Sequence, residues 1–229
     1  MSVNIEVLDP DRYSRVERWA GETTVGITKQ QAAANREAIV SAADGLFRER
    51  GVEAVGLNEL MGAAGLTRGG FYNHFASKDA LVDAVLATAM AIGSGNLDRA
   101  ITASRARGSD PFTERIDWYL SPEHRANIEH GCPNASFAGD ARRLDPAART
   151  HYAKGLAENL DRLAQIVDTP ELSEGERRAR AIALFSEMAG ALLLSRAVAD
   201  ADPALADEIL ESARTDLHNR RGTQPGGAS

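Results

Sequence analysis

Two groups of residues in this chain have types and spacings that could do chemistry. The first is His130-Gly131-Cys132-Pro133, where the chain enters a helix. A thiol at a helix start, with an imidazole two residues away, is in a setting that favours thiolate and hence reaction with oxidants or electrophiles. The competing role for Cys132 is that of a small buried hydrophobe before a proline, since free cysteine is among the most buried residue types. Lining a ligand pocket is the third. A cysteine hydrolase built on Cys132 and His130 is disfavoured, because neighbours in sequence rarely form nucleophile and base. His124, His130, Cys132 and His151 lack Cys-x-x-Cys or His-x-x-x-His spacing, so no metal site is expected. No convergent set of titratable groups is evident. The chain is therefore read as a non-enzyme, with no catalytic residue and no cofactor.

The second group lies between Leu57 and Lys78, LNELMGAAGLTRGGFYNHFASK. Leu57, Leu60, Met61 and Ala64 recur at helical spacing, Gly65 breaks the helix and Leu66 plugs the turn. Thr67 stands in an N-cap position, where its hydroxyl could hold orphan amides of the next helix. That next helix opens on Arg68-Gly69-Gly70 and is anchored by Phe71 and Phe75 at i, i+4. A helix, a glycine-containing turn and a second helix with a stripped, donor-rich start form the helix-turn-helix pattern. Such an end suits duplex DNA. Small residues admit the helix to the major groove, and its free amides and dipole attract phosphate. Arg68 can offer a fork to a guanine edge, while Tyr72, His74 and Lys78 supply donors to backbone oxygens. The alternative is a helical hairpin whose glycines only permit tight packing. Each glycine costs roughly 1 kcal/mol in a helix relative to alanine, so packing alone is a poor reason to carry two.

The run from Arg36 to Leu86 closely resembles the N-terminal domain of the TetR family of bacterial repressors. The likeness rests on an opening amphipathic helix ending in FRERG, the helix-turn-helix, the FYNHF block, and SKDAL at the start of the next helix. It implies an all-α protein, with a three-helix DNA-binding domain and a C-terminal helical domain that binds an effector and dimerises. It also implies release from double-stranded operator DNA when a small molecule binds. By position it assigns DNA contact to Thr67, Arg68, Gly69, Gly70, Tyr72, Asn73, His74 and Lys78. Family members often open the second helix with Thr or Ser; this chain reads Val55-Gly56-Leu57, with Asn58 as the substitute.

The net charge of −7 does not argue against DNA, because binding requires a local basic face rather than a basic whole. Arg36, Arg48, Arg50, Arg68 and Lys78 supply that face, interspersed with carboxylates. No run of 18 apolar residues is present, so no membrane span is expected. The N-terminus lacks the basic and apolar pattern of a signal peptide. With a single cysteine no intramolecular disulfide can form, which fits a reducing cytoplasm.

These features divide the chain into an extension over 1–30, a DNA-binding domain over 31–78, a helical body over 79–219 and a disordered tail over 220–229. The first helix is expected from about Gln31 to Glu49, stopped by Gly51. Ser77 should cap a fourth helix to about Ser94, with a less regular extension to Ser104. Proline after Asp or Ser at Pro111, Pro122, Pro146 and Pro203 marks helix starts, as does Cys132-Pro133 for a helix to about Arg143. Ser173 with Glu176 reads as a capping box. Met90, Phe112, Trp118, Tyr119, Cys132, Phe137 and Tyr152 are the expected lining of an effector pocket inside the body. Few buried charges are legible, which favours an apolar or electrophilic effector. The last two helices, from Glu174 and Pro203, carry more apolar surface than one face needs, so a homodimer interface is expected on Phe185, Met188, Leu192, Leu193, Leu205 and Ile209.

Overall fold

The computed structural model describes residues 28–167 and 171–222; residues 1–27 of the extension, 168–170 and the tail's last seven residues lie outside it. The described residues are helical throughout, with no strand among them. In chain order the helices are α1 (Lys29–Arg50), α2 (Leu57–Ala63), a 3₁₀ recognition helix (Arg68–Asn73), α3 (Lys78–Ala106), α4 (Pro111–Tyr119), α5 (Pro122–Ala126), α6 (Pro133–Ser136), α7 (Ala138–Ala141), α8 (Pro146–Ala164), α9 (Glu174–Val198) and α10 (Pro203–Gly222).

The starts follow from local chemistry. Thr28, Ser77, Asp110, Ser121, Asp145 and Ser173 each accept a backbone N–H in the first turn of the helix they cap. Ser173 and Glu176 form a reciprocal capping box, which satisfies two orphan donors at once. Gly51 takes φ +83° after α1, a conformation open to glycine at little cost.

Three boundaries differ from expectation. α3 runs unbroken through Ser104, because its apolar face continues as Leu97 and Ile101 into the body. The helix expected from Pro133 to Arg143 is two short pieces joined at Phe137, whose ring is fully buried beneath Arg48. α10 continues to Gly222, past the expected tail start.

α3 is the spine of the molecule. Its first half, Leu81 to Met90, packs with Ile39, Phe47, Leu60, Met61, Phe71 and Phe75 in the N-terminal core. Its second half joins Ile116, Tyr119, Leu163, Leu184, Phe185, Met188 and Leu192 in the body core. A division at residue 78 therefore falls at the start of a helix that both cores share. By length and composition α3 and α9 are apolar enough to cross a membrane, against expectation, with mean hydropathy 1.4 and 1.5 over their best windows. Part of that apolar surface goes into the two cores, while Ile92 on α3 and Ile182, Leu193 and Leu194 on α9 stay exposed.

Body and head also touch directly. Arg48 of α1 is buried, held by Asp44 at 2.7 Å, and donates to the Gly131 carbonyl at 2.8 Å. The Asp140 carboxylate accepts the Val52 amide at 3.1 Å. Where α3 crosses α8, Gly155 lies so close to Met90 that a Cβ there would sit 2.6 Å from its side chain.

Candidate nucleic-acid interface and ligand cavity

α2, the turn and the recognition helix form a rigid unit. Gly65 turns the chain at φ +70°, and the Leu66 amide donates back to the Met61 carbonyl at 2.8 Å. Phe71 is fully buried, with its ring 5.9 Å from that of Phe75. Each such buried ring contributes about 3–5 kcal/mol relative to alanine, which anchors the short helix. Thr67, Arg68, Gly69, Tyr72 and Asn73 are exposed, and Gly70 and His74 half-buried. Thr67 precedes the helix in extended conformation but makes no side-chain cap bond. Its hydroxyl is left outward rather than spent on the helix as expected. Gly56 begins α2, also without a side-chain cap.

The glycines discriminate between the two roles considered for this helix. A Cβ on Gly69 would meet nothing within 4 Å, and one on Gly70 only the Met61 methyl at an ordinary 3.7 Å. The chain's own packing therefore has no need of either glycine.

Of the five cations expected to form the basic face, four are occupied. Arg36 lies 4.4 Å over the Phe75 ring, Arg48 points into the body, and Arg50 pairs with Glu59. The Lys78 ammonium donates to the Val52 and Val55 carbonyls at 2.6 and 2.7 Å. Lys78 thus ties the α1–α2 loop to α3 instead of presenting a free charge to phosphate. Arg68 is the exposed cation of the recognition helix.

In the body a cavity of about 450 Å³ opens between α3, α4, α8 and the 130–134 segment, walled by Leu97, Ala100, Ile101 and Pro133. Of the residues expected to line it, Trp118 and Cys132 do. The others serve the packing around it. Met90 fills the α3–α8 crossing, Phe112 sits half-buried at the body core, Phe137 underlies Arg48, and Tyr152 donates to the Asn134 carbonyl at 2.8 Å. Tyr119 is fully buried behind the wall, beside Cys132. One wall residue ran against expectation: Arg115, a cation on the cavity that periodicity could not distinguish from a solvent-facing side chain.

Cys132 is buried at the mouth of a helix only four residues long, too short to build much of a dipole. His130 is exposed beside Glu129, and the imidazole that reaches Cys132 is His124. Its Nδ1–H donates to the Tyr119 carbonyl at 2.7 Å, and Nε2 accepts the Cys132 amide at 3.2 Å. Among the described residues the histidines do not converge with Cys132 on a metal site, and His151 instead faces Asp83.

Burial, reinforced by the Arg196 and Arg115 charges and opposed by the bond to Tyr119, lowers the His124 pKa to about 4. The unfolded chain takes up this proton near pH 6.5 and the native one does not, so stability falls as pH drops through that window. His124→Gln keeps a donor and an acceptor but cannot titrate. Urea unfolding should show wild type losing about 2 kcal/mol more than the variant between pH 7 and pH 5. Parallel losses would mean that His124 titrates as a free imidazole.

An exposed, glycine-opened recognition helix, carried on a three-helix head and joined by one spine to a cavity-bearing helical body, defines a helix-turn-helix DNA-binding regulator. Residues 39–85 match the family described as bacterial regulatory proteins, tetR family. The head is thus similar to the DNA-binding domain of the TetR family, and the chain is a DNA-binding transcriptional regulator.

An uncharacterised helix-turn-helix regulator from the lacX 3′ region of Lactococcus lactis subsp. lactis is 24% identical over 172 residues, covering 72% of this chain and 85% of that protein. The repressor BepR of Brucella suis is 51% identical, but over only 22% of this chain and 24% of its own length. That likeness concerns the head. Among solved structures, reduced Escherichia coli NemR superposes with TM-score 0.65 at 22% identity, covering 81% of this chain and 96% of that one. A regulator from Chloroflexus aurantiacus gives 0.67 at 22% identity, covering 85% and 98%. These structures share the whole fold, body included.

Proposed function

We propose that this regulator is a cytoplasmic homodimeric repressor that leaves its operator when a small molecule enters the body cavity. The observation that carries the DNA assignment is the pair of glycines opening the recognition helix, which no internal contact requires. An external surface that must approach closely explains both. Thr67, Arg68, Gly69, Gly70, Tyr72, Asn73 and His74 form the proposed contact, with Arg68 the candidate base reader and Tyr72 a phosphate donor. Lys78 acts by holding the head together.

Dimerisation is assigned to α9 and α10, on a revised set of residues. Phe185, Met188 and Leu192 are buried in the chain's own core, whereas Ile182, Leu193, Leu194 and Leu205 are exposed. Ile209 lines a groove between the two helices together with Leu194 and Leu205. An exposed apolar strip of this kind is a surface for a partner, and a second copy places two heads on one duplex.

Coupling between cavity and head has a physical route. Gly131 stands on the cavity wall, and its carbonyl holds Arg48 of α1. α3 borders the cavity and carries the head core. A ligand that displaces either shifts the head's set, because packed elements move between discrete arrangements rather than deform smoothly.

Selection of binding sequences from a random duplex pool, followed by gel shift, tests the assignment. An inverted repeat with half-sites about one helical turn apart is expected. Failure to enrich any sequence over the starting pool would refute it.

A further inference from the structure

The cavity holds a cation with no anionic partner among the described residues. Arg115 projects from α4 to the cavity wall, with its guanidinium carbon 4.7 Å from the Trp118 ring centre and 5.0 Å from that of Tyr119. Its Nε is buried and makes no hydrogen bond among the described residues. Glu114, the one acidic residue on the described wall, is taken by Arg107 at 2.6 Å. Two further guanidiniums flank the wall at Gly131. Arg48 donates to its carbonyl, and Arg196 to the His124 and Arg125 carbonyls at 2.8 and 3.1 Å. Asn159, also buried on the wall, leaves its Nδ2 without an acceptor among the described residues. A donor set of this kind around buried space attracts an anion, since unpaired buried donors and charges are costly.

We propose that the cavity takes a small organic carboxylate, whose head pairs with Arg115 and accepts from Asn159 while an apolar body fills the space along Leu97, Ala100 and Ile101. On the described wall Arg115 is the single guanidinium without a carboxylate partner and balances one negative charge, so a phosphate dianion would bring a second charge into the cavity with no partner on its wall. The planar fork of arginine matches the two carboxylate oxygens, and contact with the Trp118 and Tyr119 rings keeps the guanidinium in place. The cavity's volume, about 450 Å³, suits a body of one or two rings or a short chain. This inference rests on the cavity being the effector site, and it names the chemistry of the effector.

Calorimetric titration of the full-length protein with benzoate, 2-naphthoate and hexanoate, each beside its carboxamide, tests the charge directly. At least one acid should bind roughly 10- to 100-fold more tightly than its amide, the range expected of charge-assisted hydrogen bonds. Arg115→Gln should erase that gap and Arg115→Lys should keep part of it. No acid outperforming its amide would overturn the proposal, as would an undiminished gap in Arg115→Gln or inorganic phosphate binding as well as the acids. If Arg115→Gln does not fold, the wild-type comparison and Arg115→Lys decide. Gel shifts separate this proposal from the reading beneath it. Acids that bind through Arg115 without releasing DNA leave the carboxylate site standing and remove its effector role. Acids and amides that release DNA equally keep the effector site and refute the carboxylate.

Discussion

Leucine in place of Gly69 should abolish operator binding in a protein at least as stable as wild type. Space around Gly69 is open in the folded chain, so the new side chain meets nothing internal. Replacing glycine in a helical segment should also stabilise it by about 0.5–1 kcal/mol. In a complex with DNA the same side chain would hold the helix off the groove floor, lengthening every hydrogen bond to base and phosphate together. A loss of at least about 100-fold in affinity is expected, since even two or three charge-assisted bonds at 1.5–3 kcal/mol each account for it. Thermal unfolding and gel shift should therefore move in opposite directions. A variant that is stabilised and still binds normally would show that this helix end does not enter the groove. Arg68→Ala should behave differently, relaxing preference at one base at a cost of about 1–3 kcal/mol.

Leu194→Asp should split the dimer and, with it, operator binding. Leu194 is 62% exposed on α9, so an aspartate there costs the isolated chain little. In an apolar interface with a second copy the same carboxylate would be buried without a partner, a cost of several kcal/mol. Losing the second head removes the effective-concentration gain, so affinity should drop by about 10²- to 10⁴-fold although each head stays folded. Leu192→Asp supplies the contrast. Leu192 is fully buried in the body core, so its variant should unfold rather than dissociate. Light scattering that finds Leu194→Asp dimeric at micromolar concentration would move the interface off this face.

The helices and the head are legible in local sequence. Their starts are local events: a side-chain oxygen accepting an amide two or three residues on, or a proline whose missing N–H costs nothing at the first helical position. The helix-turn-helix was legible for the same reason, since Gly65, Phe71 and Phe75 act over spans of a few residues. What those residues face was decided only in three dimensions. Lys78 looked like a phosphate contact, but its ammonium closes on two carbonyls more than twenty residues upstream. Phe185, Met188 and Leu192 looked like interface, because periodicity marks an apolar stripe without saying whether the chain's own helices or a second copy cover it. Cys132 drew attention through its neighbour His130, whereas the fold brings up His124, eight residues away in sequence. Arg115 left no signal at all. A charged residue on a short helix ordinarily faces water, and only the convergence of α3, α4 and α8 makes its guanidinium the charged end of a cavity.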